Sequence, residues 1–206
     1  MKLPTLILAA VLASGSAHAA ITILTTREDF DANTTSQTAD TFSDLAIQDY
    51  LGPITRTAGG RSYTASTGPG SNHLYGGGDN GDGFLTNDAF ADPITLSAFP
   101  TGVSAIGSYF FGSNINGQSV TGQTVIITAT DADGTVEYTL TGATKDSFVG
   151  FISDGDILSL SFRTNAANIW PAADNVVLAV DDPVPEAGST MLAALGLLGL
   201  AARRRR

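Results

Sequence analysis

The sequence contains no cysteine, and histidine occurs only twice, at His18 and His73. Thiol catalysis is thereby excluded, and no disulfide can brace the fold. A His-based zinc site needs several imidazoles or thiolates, and these are missing. A Ser-His-Asp triad would have to use His73, and no G-x-S-x-G elbow presents a nucleophile. Basic residues are scarce, with ten Lys and Arg against 20 Asp and Glu. Glutamate appears three times, at Glu28, Glu137 and Glu186, and tryptophan once, at Trp170. So many aspartates make some close carboxylate pair inevitable, and nothing selects one pair for glycoside hydrolysis. Enzyme activity is therefore not expected.

The N-terminus reads MKLPTLILAAVLASGSAHAA. Lys2, the apolar stretch from Leu3 to Ala13 and the small-residue exit Ala17-His18-Ala19 form a secretory signal peptide pattern. Residues 1–19 are expected to be removed as a signal helix. Five of the ten basic residues, Lys2 and Arg203 to Arg206, lie in the two ends, as does one acid, Glu186. The exported part keeps 5 basic and 19 acidic residues, a net charge near −14. Nucleic acid and anionic headgroups are poor partners for such a surface.

Between the ends the apolar pattern has period two. Thr124 to Thr130 (TVIITAT) and Thr135 to Thr141 (TVEYTLT) flank Asp131-Ala132-Asp133-Gly134, which is a hairpin signal. Further strands are expected at Ile21 to Leu24, Thr38 to Leu45, Arg61 to Ser66, Pro93 to Phe99 and Val103 to Phe111. Phe148 to Ile152, Ile157 to Arg163 and Val176 to Val180 complete the set. A short helix fits Thr26 to Phe30, with Thr26 as its cap and acids in the first turn. Many short strands joined by Gly, Asn, Asp and Pro loops predict an all-β protein. An antiparallel β-sandwich, jelly-roll-like, is expected over residues 20–181. The stretch Thr67 to Gly83 (TGPGSNHLYGGGDNGDG) is expected to be a long loop without regular structure.

The acids suggest a hard cation. Asp in Gly-rich turns suits calcium, which takes several oxygens at about 2.3–2.6 Å. The clusters are Asp79-Asn80-Gly81-Asp82-Gly83, Asp131-Ala132-Asp133-Gly134 and Asp154-Gly155-Asp156. None follows the EF-hand spacing, and Asp also serves Asx-turns, the favoured reading for Asp131 and Asp133. Calcium candidates are Asp79 and Asp82, with Asp44 and Asp174. Trp170 is either a buried cap of the sandwich or an exposed platform for a sugar ring. Tyr75 and His73, with Tyr63, offer a second polar-aromatic surface for glycan contact.

The chain closes on VPEAGSTMLAALGLLGLAARRRR. The uncharged run Thr190 to Ala202 has 13 residues, about 20 Å as a helix. That is short against the roughly 30 Å core of a bilayer. Four arginines follow, and they place this end on the cytoplasmic side and the acidic domain outside. Pro185 keeps a helix from running back through Asp182-Pro183-Val184 and leaves an extended peptide outside the membrane.

This arrangement resembles a PEP-CTERM protein-sorting tail, carried by Val184, Pro185 and Glu186, the apolar segment, and Arg203, Arg204, Arg205 and Arg206. The usual second proline is Ala187 here. The resemblance implies a sorting tail over residues 182–206 with a short transmembrane helix at 190–202. It also implies recognition by an exosortase, a membrane-embedded cysteine transpeptidase of Gram-negative bacteria, after passage through the Sec translocon. Thr41-Phe42-Ser43-Asp44-Leu45 and Ala173-Asp174-Asn175-Val176 further resemble segments of β-sandwiches found ahead of such tails. That likeness suggests that first and last strands pair, with Asp44 near Asp174. The expected role is structural or adhesive, in a surface or extracellular matrix rich in exopolysaccharide, after a transient hold in the inner membrane. The alternatives are a calcium-dependent carbohydrate-binding module and a secreted hydrolase.

Overall fold

The computed structural model describes residues 21–79 and 81–181. The expected signal peptide and the tail from 182 onward lie outside the described residues. In chain order the first elements are β1 (Thr22–Leu24), α1 (Arg27–Ala32), β2 (Thr34–Asp40), β3 (Asp49–Leu51), β4 (Ile54–Ala58) and β5 (Arg61–Thr67). Then come β6 (His73–Asp79), β7 (Asp82–Asn87), β8 (Ile94–Ser97), β9 (Ala105–Ser113) and β10 (Ser119–Val120). The last are β11 (Gln123–Thr130), β12 (Thr135–Ala143), β13 (Phe148–Ile152), β14 (Ser159–Thr164) and β15 (Trp170–Asp181).

The strands form two antiparallel sheets. The larger runs β1-β13-β9-β15-β7-β6-β3, with β10 joined to β9 and β2 joined to β15. The smaller runs β12-β11-β14-β8-β5-β4. One buried cluster draws Leu85, Ile106, Phe110 and Leu178 from the larger sheet. It draws Tyr63, Leu96, Ile127 and Phe162 from the smaller. The inner faces therefore meet in a β-sandwich, as period-two patterning requires.

Local chemistry sets several boundaries. Thr26 caps α1 by accepting a hydrogen bond from the Asp29 N–H at 3.0 Å, with Glu28 and Asp29 in the first turn. The β11–β12 hairpin pairs Thr130 with Thr135. In its turn Asp131 Oδ1 accepts from the N–H groups of Asp133 and Gly134, both at 2.9 Å. Asp131 is thus a turn residue. Burial pushes its pKa up, but the hydrogen bonds from Ser153, Asp133 and Gly134 outweigh that and leave it lowered. The first long strand does pair with the last: Val176 stands opposite Asp40 and Asp181 opposite Thr34. It stops at Asp40 rather than Leu45, because Phe42 takes a φ of 53° and its N–H turns back to Asp40 Oδ1.

The stretch Thr67 to Gly83 departs from expectation. It is largely a hairpin, in which β6 and β7 pair from Leu74 opposite Asn87 to Asp79 opposite Asp82. Leu74 and Leu85 fill the core. The glycines serve close packing: the Phe84 ring occupies the space where a Cβ on Gly77 would sit.

Candidate functional site

Alternation along the larger sheet sends Leu85, Phe110 and Ala173 inward. Phe84, Phe111 and Ala172 form a separate cluster on the outer face, with the two rings edge-to-face at 5.0 Å. Tyr75 of β6 stands opposite Thr86, two residues on from Phe84, and Trp170, the first residue of β15, stands opposite Ser113, two residues on from Phe111. The β9–β10 loop folds over them. Asn114 shapes that loop, its Oδ1 accepting from the N–H groups of Asn116 and Gln118. The Gly78 N–H donates to Gly117 O at 2.9 Å and docks the loop on β6.

Between loop and sheet is a cleft of about 130 Å³, lined by Tyr75, Trp170, Ile115, Asn87, Asp88 and Asn114, among others. The structure thus brings together two of the three expected glycan contacts. Trp170 is 7% exposed and meets Phe90 edge-to-face at 5.7 Å, so most of its ring is core and the rest borders the cleft. His73 belongs elsewhere: its Nδ1 lies 2.7 Å from Asp49 Oδ2. Tyr63, the further aromatic expected at that surface, is fully buried and donates its hydroxyl to Asp40. Asn87, Asp88, Asn114 and Ile115 carry no motif, and only the folding of β7 against the β9–β10 loop assembles them.

The four calcium candidates have different basic partners. Asp44 is held by Arg56, whose Nη1 and Nη2 reach its carboxylate at 2.9 and 2.7 Å. That hydrogen bond, above all, lowers the Asp44 pKa despite some desolvation. Asp44 was expected beside Asp174; its side-chain partner among the described residues is Arg56. Asp79, Asp82 and Asp174 instead share the field of Lys145. The Lys145 ammonium donates to Asp82 at 2.9 Å and feels the charges of Asp79 and Asp174. Asp79 accepts the Ser119 N–H at 3.0 Å. Burial first, then the charge of Asp82, pushes the Asp174 carboxyl up to about 6, against hydrogen bonds from Asn175. Among the described residues no group of three or more His, Asp or Glu is arranged to hold a metal ion. Nor is any described helix long and apolar enough to cross a membrane.

The tail is decided by comparison. Residues 183–206 match the family model described as the PEP-CTERM protein-sorting motif. The tail is a PEP-CTERM sorting motif. It spans the Pro-Glu pair, the apolar segment and the four arginines, and it implies an exported protein recognised by an exosortase at the membrane. No curated protein matches the chain. Among solved structures, the chain is similar to the Clostridium thermocellum endo-1,4-beta-D-xylanase 10B CBM22-1-GH10 modules complexed with xylohexaose. Identity is 13%, the TM-score is 0.39, and the match covers 73% of this chain and 29% of that one. So distant a likeness carries no argument about ligand or activity.

Proposed function

We propose that the PEP-CTERM chain is a non-catalytic surface or extracellular-matrix protein of a Gram-negative envelope, with a structural or adhesive role toward exopolysaccharide. It leaves the cytoplasm through the Sec translocon on the signal peptide of residues 1–19. The apolar segment 190–202 then holds it transiently in the inner membrane, where an exosortase reads Val184, Pro185 and Glu186. The match at 183–206 is the observation that carries this reading. The domain adds support. An acidic β-sandwich without cysteine suits an exposed matrix component.

The test is Glu186→Ala in the native host. Glu186 lies outside the described residues and beyond β15 in the chain, so export and folding should persist while the variant accumulates full-length at the inner membrane. The wild type should be shorter by roughly the last 20 residues, the length of one spanning segment, and should lie outside that membrane. Wild type that is uncut and located like the variant would reduce the tail to an anchor.

A further inference from the structure

We infer that the cleft between the β9–β10 loop and the β6–β7–β15 strand ends binds a single neutral pyranose unit. This deepens the adhesive reading and rests on it for its biological setting, while the argument comes from the cleft itself.

The hydrogen-bonding capacity of the cleft is unspent. Asn87 is 3% exposed, and its Nδ2 donates to Thr67 Oγ1 and Asp92 O. Its Oδ1 is the one fully buried side-chain polar atom without a partner among the described residues. That oxygen is closed off from solvent, so the polar groups open to a ligand are those of Asp88, Tyr75 and Trp170. Neither the Asp88 carboxylate nor the Tyr75 hydroxyl bonds to another described residue. The Trp170 indole N–H is likewise unpaired among them and is not fully buried. The cleft therefore offers acceptors and donors within one small space.

The apolar contribution comes from Tyr75, the accessible part of Trp170, and Ile115, whose side chain is 74% exposed. Such walls suit the C–H face of a sugar ring, and the polar rim suits its hydroxyls. About 130 Å³ is well below the roughly 300 Å³ at which pockets for drug-sized ligands begin. One ring fits, as a free sugar, a chain end or a branch. The only charge in the lining is Asp88, on a strongly acidic chain, so uronates and other anions are disfavoured. The loop is already hydrogen-bonded to β6, so little ordering is needed on binding.

The test is saturation-transfer NMR on the full chain, probing neutral hexoses and N-acetylhexosamines, two uronates, and a neutral oligosaccharide ladder. At least one neutral pyranose should bind saturably and unchanged by EDTA, with oligosaccharides saturated at one terminal or branching ring. Asp88→Ala and Tyr75→Ala should each weaken binding about tenfold, with melting temperatures near that of the wild type. Binding of uronates alone, or of no sugar, overturns the inference. So does binding that survives both variants, or that requires calcium. If whole exopolysaccharide is retained by wild type and both variants alike, the adhesive role stands and the cleft is discarded.

Discussion

Arg56 grips Asp40 with two parallel hydrogen bonds, Nε to Oδ2 at 2.9 Å and Nη2 to Oδ1 at 2.6 Å. Arg56 belongs to β4 of the smaller sheet and Asp40 to β2 of the larger, so the pair bridges the sandwich. Tyr63 also donates its hydroxyl to Asp40 at 2.7 Å, and Arg56 lies over the Phe42 ring at 5.1 Å. Desolvation works against the guanidinium charge, but Asp44 and Asp40 outweigh it and raise the Arg56 pKa. Burial and the Asp40 charge raise the Tyr63 phenol, which stays protonated as a donor.

Removing the guanidinium leaves Asp40 buried with its charge uncompensated. Arg56→Met should lower unfolding stability by about 3–5 kcal/mol at pH 7, as loss of one partner of a buried pair does. Adding Asp40→Asn should recover part of that loss. Asp44, with its side chain 71% exposed, contributes little to the network. Urea denaturation of the variants decides it, and a loss under about 1 kcal/mol for Arg56→Met would mean that solvent screens the pair.

The Asp174 carboxyl titrates near 6 in the folded protein, against an ordinary value of 3.8. Between those values the native state keeps a proton that the unfolded chain has released. Stability should therefore fall as pH rises through that window, and the full loss is present above about pH 6. Asp174→Asn should flatten this slope and stabilise the protein at pH 7, by at most about 3 kcal/mol at 1.36 kcal/mol per pKa unit. Asp82→Asn should shift the window downward by a smaller amount, because burial is the larger cause. Melting curves from pH 4 to 8 give the comparison; parallel profiles for wild type and Asp174→Asn would exclude this carboxyl as the source.

Gly150 of β13 lies under the Phe30 ring of α1, where an added Cβ would collide. Phe30 packs edge-to-face on Phe148 at 5.4 Å, and Phe148 on Tyr109 at the same distance. Gly150→Ala should therefore cost about 1–3 kcal/mol by overpacking and loosen α1 first. Gly134→Ala is the comparison, because nothing lies within 4 Å of its added Cβ, and it should stay within about 0.5 kcal/mol. Hydrogen exchange at the α1 amides reads both variants. Equal protection in the two would show that the Phe30 contact does not hold the helix.

The β11–β12 hairpin was legible because alternation, β-branching and an Asp-Gly turn act within a few residues. The Thr26 cap is local in the same way. The β6–β7 hairpin was hidden, since the reason for its glycines is the Phe84 ring and the carbonyl of Ala46, neither encoded beside them. The last strand begins at Trp170, six residues before the expected Val176, because Pro171 and the left-handed Asn175 mask a strand that irregular pairing tolerates. The cleft was half legible: a lone tryptophan and a tyrosine can be singled out by type. The unpaired Asn87 oxygen and the free Asp88 carboxylate depend on how distant strands end. The calcium candidates Asp79, Asp82, Asp44 and Asp174 were singled out by residue type, whereas Lys145, which donates to Asp82, and Arg56, which donates to Asp44, are brought to them only by folding.

The sorting tail follows directly on β15, a twelve-residue strand paired with β9 on one side and with β7 and β2 on the other. Traction on the tail is thus passed into the middle of the larger sheet, not to an edge. The end of β15 nearest the tail is paired with β9 through Val177, Leu178 and Ala179 and with β2 through Val176 to Asp181. A domain tethered through this end is held by a strand that is hydrogen-bonded on both sides. The same strand that completes the fold is therefore also its towing point.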